Sequence, residues 1–332
     1  MIDPAVIAEQ LQGTRGLAHK HDIAAVIAQL GLDASARAPV PVGDDCAAIA
    51  DGDGWLLLAI EGFMNEFVAA EPYFAGWCGV MVNVSDIYAM GGRPIAVVDA
   101  LWGASATSAD TVLAGLAAAA KCYGVPVVGG HSNLRAGRDQ LAVAILGRAT
   151  RLLTSFDAQP GQVLIAAIDL RGGYRPHFSN WDAASTAPGI RLRGDLELLP
   201  AIAEDGLSAA GKDISQAGIL GTLLMLLECS GVGATVNLDA IPRPPDVDPQ
   251  RWWLHTFPSF GYWLSVAPGA VPAVLERFSA RGITAAMVGV CEPHQQLHLR
   301  AGGRSALAWD GTRQTLMGCG RAPASQPETA HA

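Results

Sequence analysis

The sequence is poor in charge and has no run of one sign: 22 Lys and Arg stand against 31 Asp and Glu, for a formal net charge of -9 and 16% charged residues. Nucleic acid and anionic membrane surfaces are bound through a basic footprint, so neither is expected as the main partner, although a local cationic pocket is compatible with the balance. No stretch approaches the roughly eighteen uninterrupted apolar residues of a membrane span. The opening MIDPAVIAEQ has neither the basic region nor the long apolar core of a signal peptide. The six cysteines, Cys46, Cys78, Cys122, Cys229, Cys291 and Cys319, form no CxxC pair and fall mostly in apolar segments, which points to reduced, packed thiols rather than a disulfide framework or a zinc site. A cytoplasmic setting is expected. Two common nucleotide signatures are also missing: there is no GxxxxGK[ST] loop, and no GxGxxG between a strand and a helix with an acidic residue downstream.

What is present is ample core material, 50% hydrophobic residues and 38 glycines in 332, enough for two domains. The basic, glycine-interrupted stretch QGTRGLAHKHD and the amphipathic run after it predict a mobile arm and a helix within residues 1–40. CAAIA and WLLLAI, separated by DGDG, predict a strand hairpin. Residues 72–90 form a helix candidate that stops at Gly91-Gly92 before Pro94; 94–102, 125–128 and 141–149 read as strands and 108–123 as a helix. The turn DAQPG near residue 155 divides a first domain, 41–155, from a second, 156–318. There, helices near 195–206, 217–230 and 271–280 alternate with strands at VLIAAIDL, ATVNLD, YWLSV and TAAMVGV. This alternation predicts α/β or α+β layers. The tail 319–332 is small, polar and Pro-containing and is expected to be disordered.

Four segments hold carboxylates in surroundings too apolar or glycine-rich for simple solvated surface. VGDDCAAIA carries Asp44 and Asp45, either of which would also serve as a turn residue. NVSDIYAMGG carries Asn83 and Asp86, three apart and so on one helical face, among Met81, Val84 and Ile87. AIEGFMNEF ends a strand at Glu61. GKDISQAG is read as opening a helix with Asp213 and Ser215, whose bland alternative is a plain N-cap. A buried charge is costly unless it is paired or holds a cation, and converging carboxylates suit oxygen-ligated Mg²⁺. In VPVVGGHSN the strand is expected to end at Val128, leaving Gly129, Gly130, His131, Ser132 and Asn133 as a turn that either faces a phosphate or is ordinary punctuation.

NVSDIYAMGGRP, VVGGHSN, VGDDCAAI, KDISQAGILGTLL and GVGATVNLDAIPRP together resemble the aminoimidazole ribonucleotide (AIR) synthase superfamily, PurM-like proteins that include the selenophosphate synthetases, to which the motifs are most similar. The resemblance covers roughly residues 12–295. It implies a two-domain fold in which the N-terminal domain forms a barrel with its twin in a homodimer and a C-terminal α/β domain packs beside it, with ATP and Mg²⁺ between the domains. Carried over, Asp45, Asp86 and Asp213 fall where the family holds metal ions. Asn83, Glu61, Gly129, Gly130, His131 and Ser132 fall near the nucleotide, His131 being either catalytic or a hydrogen-bonding turn residue. Lys20 falls on a catalytic lysine suited to charge on a transferring phosphoryl group.

Departures from the pattern bear on the substrate. The arm reads Gly16-Leu17-Ala18-His19-Lys20 with no thiol before the lysine, which disfavours selenophosphate synthesis. Glu61 stands in place of an aspartate, Gln216-Ala217 replaces the usual pair, and the second domain's glycine-rich loop is altered to IDLRGGYRPH. The expected function is an ATP- and Mg²⁺-dependent activation of an oxygen of a small-molecule substrate by phosphoryl transfer. The alternative is a nucleotide-binding scaffold without turnover. Ammonia-supplying subunits and operon partner enzymes are compatible with either.

Overall fold

Local chemistry sets the element boundaries. In the computed structural model, which describes residues 2–32, 39–176 and 178–320, the chain begins with helices α1 (Pro4–Gln12) and α2 (Arg15–Leu30). The strand pair β1 (Ala47–Asp51) and β2 (Gly54–Gly62) is the predicted hairpin, and α3 (Asn65–Ala70) and α4 (Pro72–Ala89) follow. Pro72 starts α4, where its missing N–H costs nothing. Then come β3 (Arg93–Trp102), α5 (Ala106–Tyr123), β4 (Val127–Asn133) and β5 (Gln140–Ala149). The second half contains β6 (Val163–Ile168), β7 (Gly173–Tyr174), β8 (Asn180–Asp182), α6 (Gly189–Leu196), α7 (Leu198–Glu204), β9 (Ser208–Asp213), α8 (Gly218–Ser230) and β10 (Gly233–Asn237). It closes with α9 (Pro249–His255), β11 (Phe257–Pro258), β12 (Gly261–Val266), α10 (Val271–Ala280), β13 (Thr284–Glu292), β14 (Gln296–Ala301) and β15 (Arg304–Asp310). The expected disordered tail lies, from residue 321 on, outside the described residues.

Two sheets carry the architecture, a five-stranded one in the order β1-β2-β5-β3-β4 and a seven-stranded one in the order β15-β14-β10-β13-β6-β12-β9; β11, β8 and β7 form a small third. The period-two alternation of strands decides what each sheet buries. In the first sheet Leu57, Ala59, Val97, Val143 and Ile145 enter the core with α4 and α5, while Ile49, Leu58, Ile60, Val98 and Leu146 are exposed on the opposite face, Ile60 at 70%. In the second sheet both faces of the central strands are covered: Ile165 and Ala167 of β6 join that first core, whereas Leu164, Ala166 and Ile168 join a second core with α8 and α9. The halves are thus packed through β6 and β12, which places the end of β9 against α4. No described helix is long and apolar enough to cross a membrane.

Three sequence expectations are corrected. The 12–21 segment is not a loose arm: α2 starts at Arg15, with the Thr14 side chain accepting from the Leu17 N–H and Leu17 buried. Glycine is required at position 16, because a Cβ there would lie 2.4 Å from the Gln216 carbonyl oxygen. The GGHSN stretch is not a turn; it continues β4, paired in parallel with β3 from Val98↔Gly129 to Trp102↔Asn133. Asp213 does not open a helix but ends β9, and α8 begins only at Gly218. Strands β14 and β15 were not expected, although β14 alternates, with Leu297, Leu299 and Ala301 buried between polar residues.

Candidate functional site

Three segments distant in sequence bring their carboxylates to one point. Ligand atoms of Asp45, Asp86 and Asp213 lie within 4.8 Å of one another. Asp45 belongs to the turn before β1, Asp86 to the buried helix α4, and Asp213 to the last position of β9. The neighbouring Asp44 turns away: its carboxylate accepts from the Ser155 amide at 2.7 Å and the Ser155 hydroxyl at 2.6 Å, anchoring the turn. Burial, with repulsion from Asp45, pushes the Asp44 carboxyl up to about 6. Asp45 is left facing Asp86 and Asp213; it pairs with Lys212 and accepts from the Asp213 N–H at 3.2 Å.

Lys212 is 2% exposed at its side chain. Burial works against its charge, but Asp45, Asp44 and Asp213 outweigh it and raise the ammonium pKa. Burial also raises Asp86 and Asp213 well above the usual carboxylate range, with repulsion from Asp213 adding to it at Asp86 and from Asp45 at Asp213. Asp86 is 6% exposed, and its Oδ2 has no hydrogen-bond partner. An orphaned buried oxygen beside two further carboxylates is an all-oxygen donor set that fits a hard divalent cation such as Mg²⁺. Lys20 on α2 lines the same cleft with Glu61. Desolvation and the Lys212 charge lower the Lys20 pKa, opposed by Asp213, Glu61 and Asp45. Glu61 is raised by desolvation, opposed by Lys20.

The other sequence candidates do not join this cluster. Asn83 is fully buried, and its amide nitrogen donates to the Gly79 carbonyl at 2.8 Å and the Val143 carbonyl at 3.0 Å, tying α4 to β5. It does not line the cleft. Gly129, Gly130, His131 and Ser132 lie exposed on the edge strand β4, with His131 against Trp102 at a 6.0 Å ring separation. Sheet register puts Glu61 opposite Val143, Val143 opposite Asp99 and Asp99 opposite Gly130, so the glycine edge is three strand spacings, about 14 Å, from Glu61. Sequence reasoning passed over Lys212, whose position just before Asp213 was its only signal, whereas Ser215, named with Asp213 in the sequence, lines the cleft with its Oγ shielded and without a partner.

Comparisons with known proteins identify the family of both halves. Residues 43–149 match the N-terminal domain, and residues 159–302 the C-terminal domain, described for AIR synthase related proteins. The chain is similar to an uncharacterized protein of Synechocystis sp., 49% identical over 312 residues that cover 93% of this chain and 96% of the relative. It is 28% identical over 216 residues to a selenide, water dikinase of Myxococcus xanthus, covering 61% of this chain and 60% of that one. Among solved structures, T. maritima PurL complexed with ATP has a TM-score of 0.69 at 22% identity, covering 84% of this chain and 47% of PurL. The chain therefore spans about half of that protein, and the likeness is one of fold.

Proposed function

The chain belongs to the AIR synthase related family, and from that premise we propose that it is an ATP- and Mg²⁺-dependent enzyme that activates an oxygen of a small substrate, an amide, carboxylate or similar group, by phosphoryl transfer. The convergence of Asp45, Asp86 and Asp213 beside Lys20 carries this reading. A solved PurL complexed with ATP and a relative named selenide, water dikinase support it.

In this reading Asp45, Asp86 and Asp213 hold Mg²⁺, which when bound neutralises phosphate charge. Lys20 supplies a further positive charge at the cleft for the γ-phosphoryl group as it transfers. Glu61 opposes the Lys20 charge and positions that side chain. The acceptor oxygen attacks the γ-phosphorus; the bond from phosphorus to the β,γ-bridging oxygen breaks, and ADP leaves with its electron pair. Lys212 holds Asp45 in place through its ion pair.

The uncovered apolar face of the five-stranded sheet supports a homodimer formed through that face. Since Gly129–Ser132 stand apart from the cleft of their own chain, we assign them to a nucleotide held by the other protomer. An ADP- and phosphate-release screen with pools of amides, acids and amines tests the proposal. Release above the ATP-only rate, dependent on Mg²⁺ and on one pool, supports it. Mg²⁺-dependent nucleotide binding without release from any pool favours the scaffold instead.

A further inference from the structure

The cleft lined by Lys20, Glu61, Asp86 and Asp213 is one cavity of about 210 Å³, and its lining changes in character away from the carboxylates. Phe63, Phe67, Phe74, Phe178, Trp181 and Phe257 line it. The rings brace one another: Phe67 meets Phe178 edge-on at 4.9 Å and 78°, and meets Phe74 at 6.0 Å and 90°. Phe67, Phe74 and Trp181 are buried and belong to the two cores, so they form a rigid backing, while Phe63, Phe178 and Phe257 are half-buried and complete the lining of the cavity. Such rings recognise a flat, unsaturated body by stacking and edge contacts.

Charge sorts the two ends. Among the described residues of the lining, Lys20 is the one cationic side chain, and it stands with Glu61, Asp86 and Asp213. At the aromatic end the charged lining residue is Asp182, whose carboxylate already accepts from the Ala184 and Ser185 amides. Arg175 lies over the Phe74 ring at 4.1 Å. Two carboxylates neutralise it, Glu71 at 2.7 Å and Asp182 at 3.7 Å. An anionic group placed at the aromatic end would thus be desolvated without a free cation, which is unfavourable. Asn180 offers an uncharged amide there, and the unpartnered Ser215 hydroxyl serves the same continuous cleft.

We infer that the acceptor substrate is a planar, unsaturated molecule with its reacting oxygen toward Lys20 and with no phosphate or second anionic group on its body. This rests on the phosphoryl-transfer reading, which places the nucleotide's triphosphate at the carboxylates and leaves the aromatic end to the acceptor.

Calorimetric titration of the full chain, with Mg²⁺ and β,γ-methylene-ATP present, tests it with four probes: benzamide, acetamide, phenyl phosphate and adenosine. Benzamide is expected to bind at least about tenfold more tightly than acetamide or phenyl phosphate. Phe178→Ala should weaken benzamide by a similar factor while methylene-ATP affinity stays within about twofold. Phe63→Ala provides a second variant at a half-buried position, and a thermal melt confirms that each is folded. Equal affinity for acetamide, or tighter binding of phenyl phosphate, overturns the inference. So does displacement of benzamide by adenosine, which would give the aromatic wall to the nucleotide base. A ring-dependent benzamide signal without any nucleotide binding would instead remove the phosphoryl-transfer reading and leave the cleft's preference for planar neutral molecules standing.

Discussion

The carboxylate cleft and the Gly129–Ser132 edge differ in almost every physical respect, although sequence motifs place them in one site. The cleft is assembled from the turn before β1, from α2, α4 and β9, so that packing of both halves fixes it; its charges are buried and set against one another. The edge is one exposed strand, held by pairing with β3 alone. A buried cluster of like charges persists only if a ligand or counter-charge is part of its design. An exposed edge is stable by itself and acquires a role only from what comes to it. The difference teaches that the two regions are held by separate physical means, and each prediction below separates them.

The largest effect is expected at Lys20. Lys20→Ala should lower turnover on the substrate found by the release screen by about a hundredfold or more, since removing a charge or donor aimed at the transition state costs on the order of 10²–10³, while methylene-ATP affinity moves by no more than about threefold. Retention of full turnover would remove the lysine from the chemistry. Next comes Asp86. Replacement by Asn keeps the shape and deletes the charge, so Mg²⁺-dependent nucleotide affinity should fall at least about tenfold, roughly 1.4 kcal/mol, as read by calorimetry. An unchanged affinity would make Asp86 a structural residue of α4.

A smaller and more discriminating effect concerns which protomer owns the edge. If the nucleotide of one chain meets the Gly129–Ser132 strand of another, His131→Asp, which brings an anion to that strand, should depress activity in the homogeneous protein. Mixing and re-assembling equal amounts of His131→Asp and Lys20→Ala protein should then restore about a quarter of wild-type turnover, because half the dimers are mixed and each mixed dimer contains one intact site. No gain on mixing would place the edge and the cleft in the same chain or take the edge out of the reaction.

Much of this was legible in the sequence, for identifiable reasons. Asp86 stood out because a mid-helix carboxylate among Met81, Val84 and Ile87 gains nothing by itself, and the structure does bring it to Asp45 and Asp213. The hairpin of β1 and β2 and the helix α4 were readable from alternation, DGDG and the Gly91-Gly92 stop. The Gly-Gly pair misled, because its reason is tertiary: an edge strand tolerates glycines when a neighbouring strand supplies the pairing. Asn83 misled similarly, since a helical face shared with Asp86 says nothing about the Val143 carbonyl across the sheet. Lys212 stood only as the neighbour of Asp213 in the KDIS motif; the fold shows that it faces Asp45. The aromatic wall was invisible because its six rings come from segments as far apart as residues 63 and 257.

The smallest expected effect separates the two glycines of the edge from each other. A Cβ at Gly129 would meet nothing within 4 Å, whereas one at Gly130 would lie 2.4 Å from the Asp99 Oδ1 and 2.7 Å from the Asp99 carbonyl oxygen. Asp99 has little freedom to yield: its Oδ2 is already shielded without a partner, and desolvation raises its pKa. Gly129→Ala should therefore leave stability within about 0.5 kcal/mol, as surface substitutions usually do, while Gly130→Ala should cost about 1–2 kcal/mol through displacement of Asp99 or of the strand. Urea denaturation of the two variants reads this directly. If stability follows that order while nucleotide affinity is unchanged in both, the pair is a packing feature of β4, and the edge's functional contribution narrows to His131 and Ser132. If instead both variants lose nucleotide affinity equally despite their different stabilities, the bare backbone itself meets the ligand, and the exposed strand joins the cleft as a binding element.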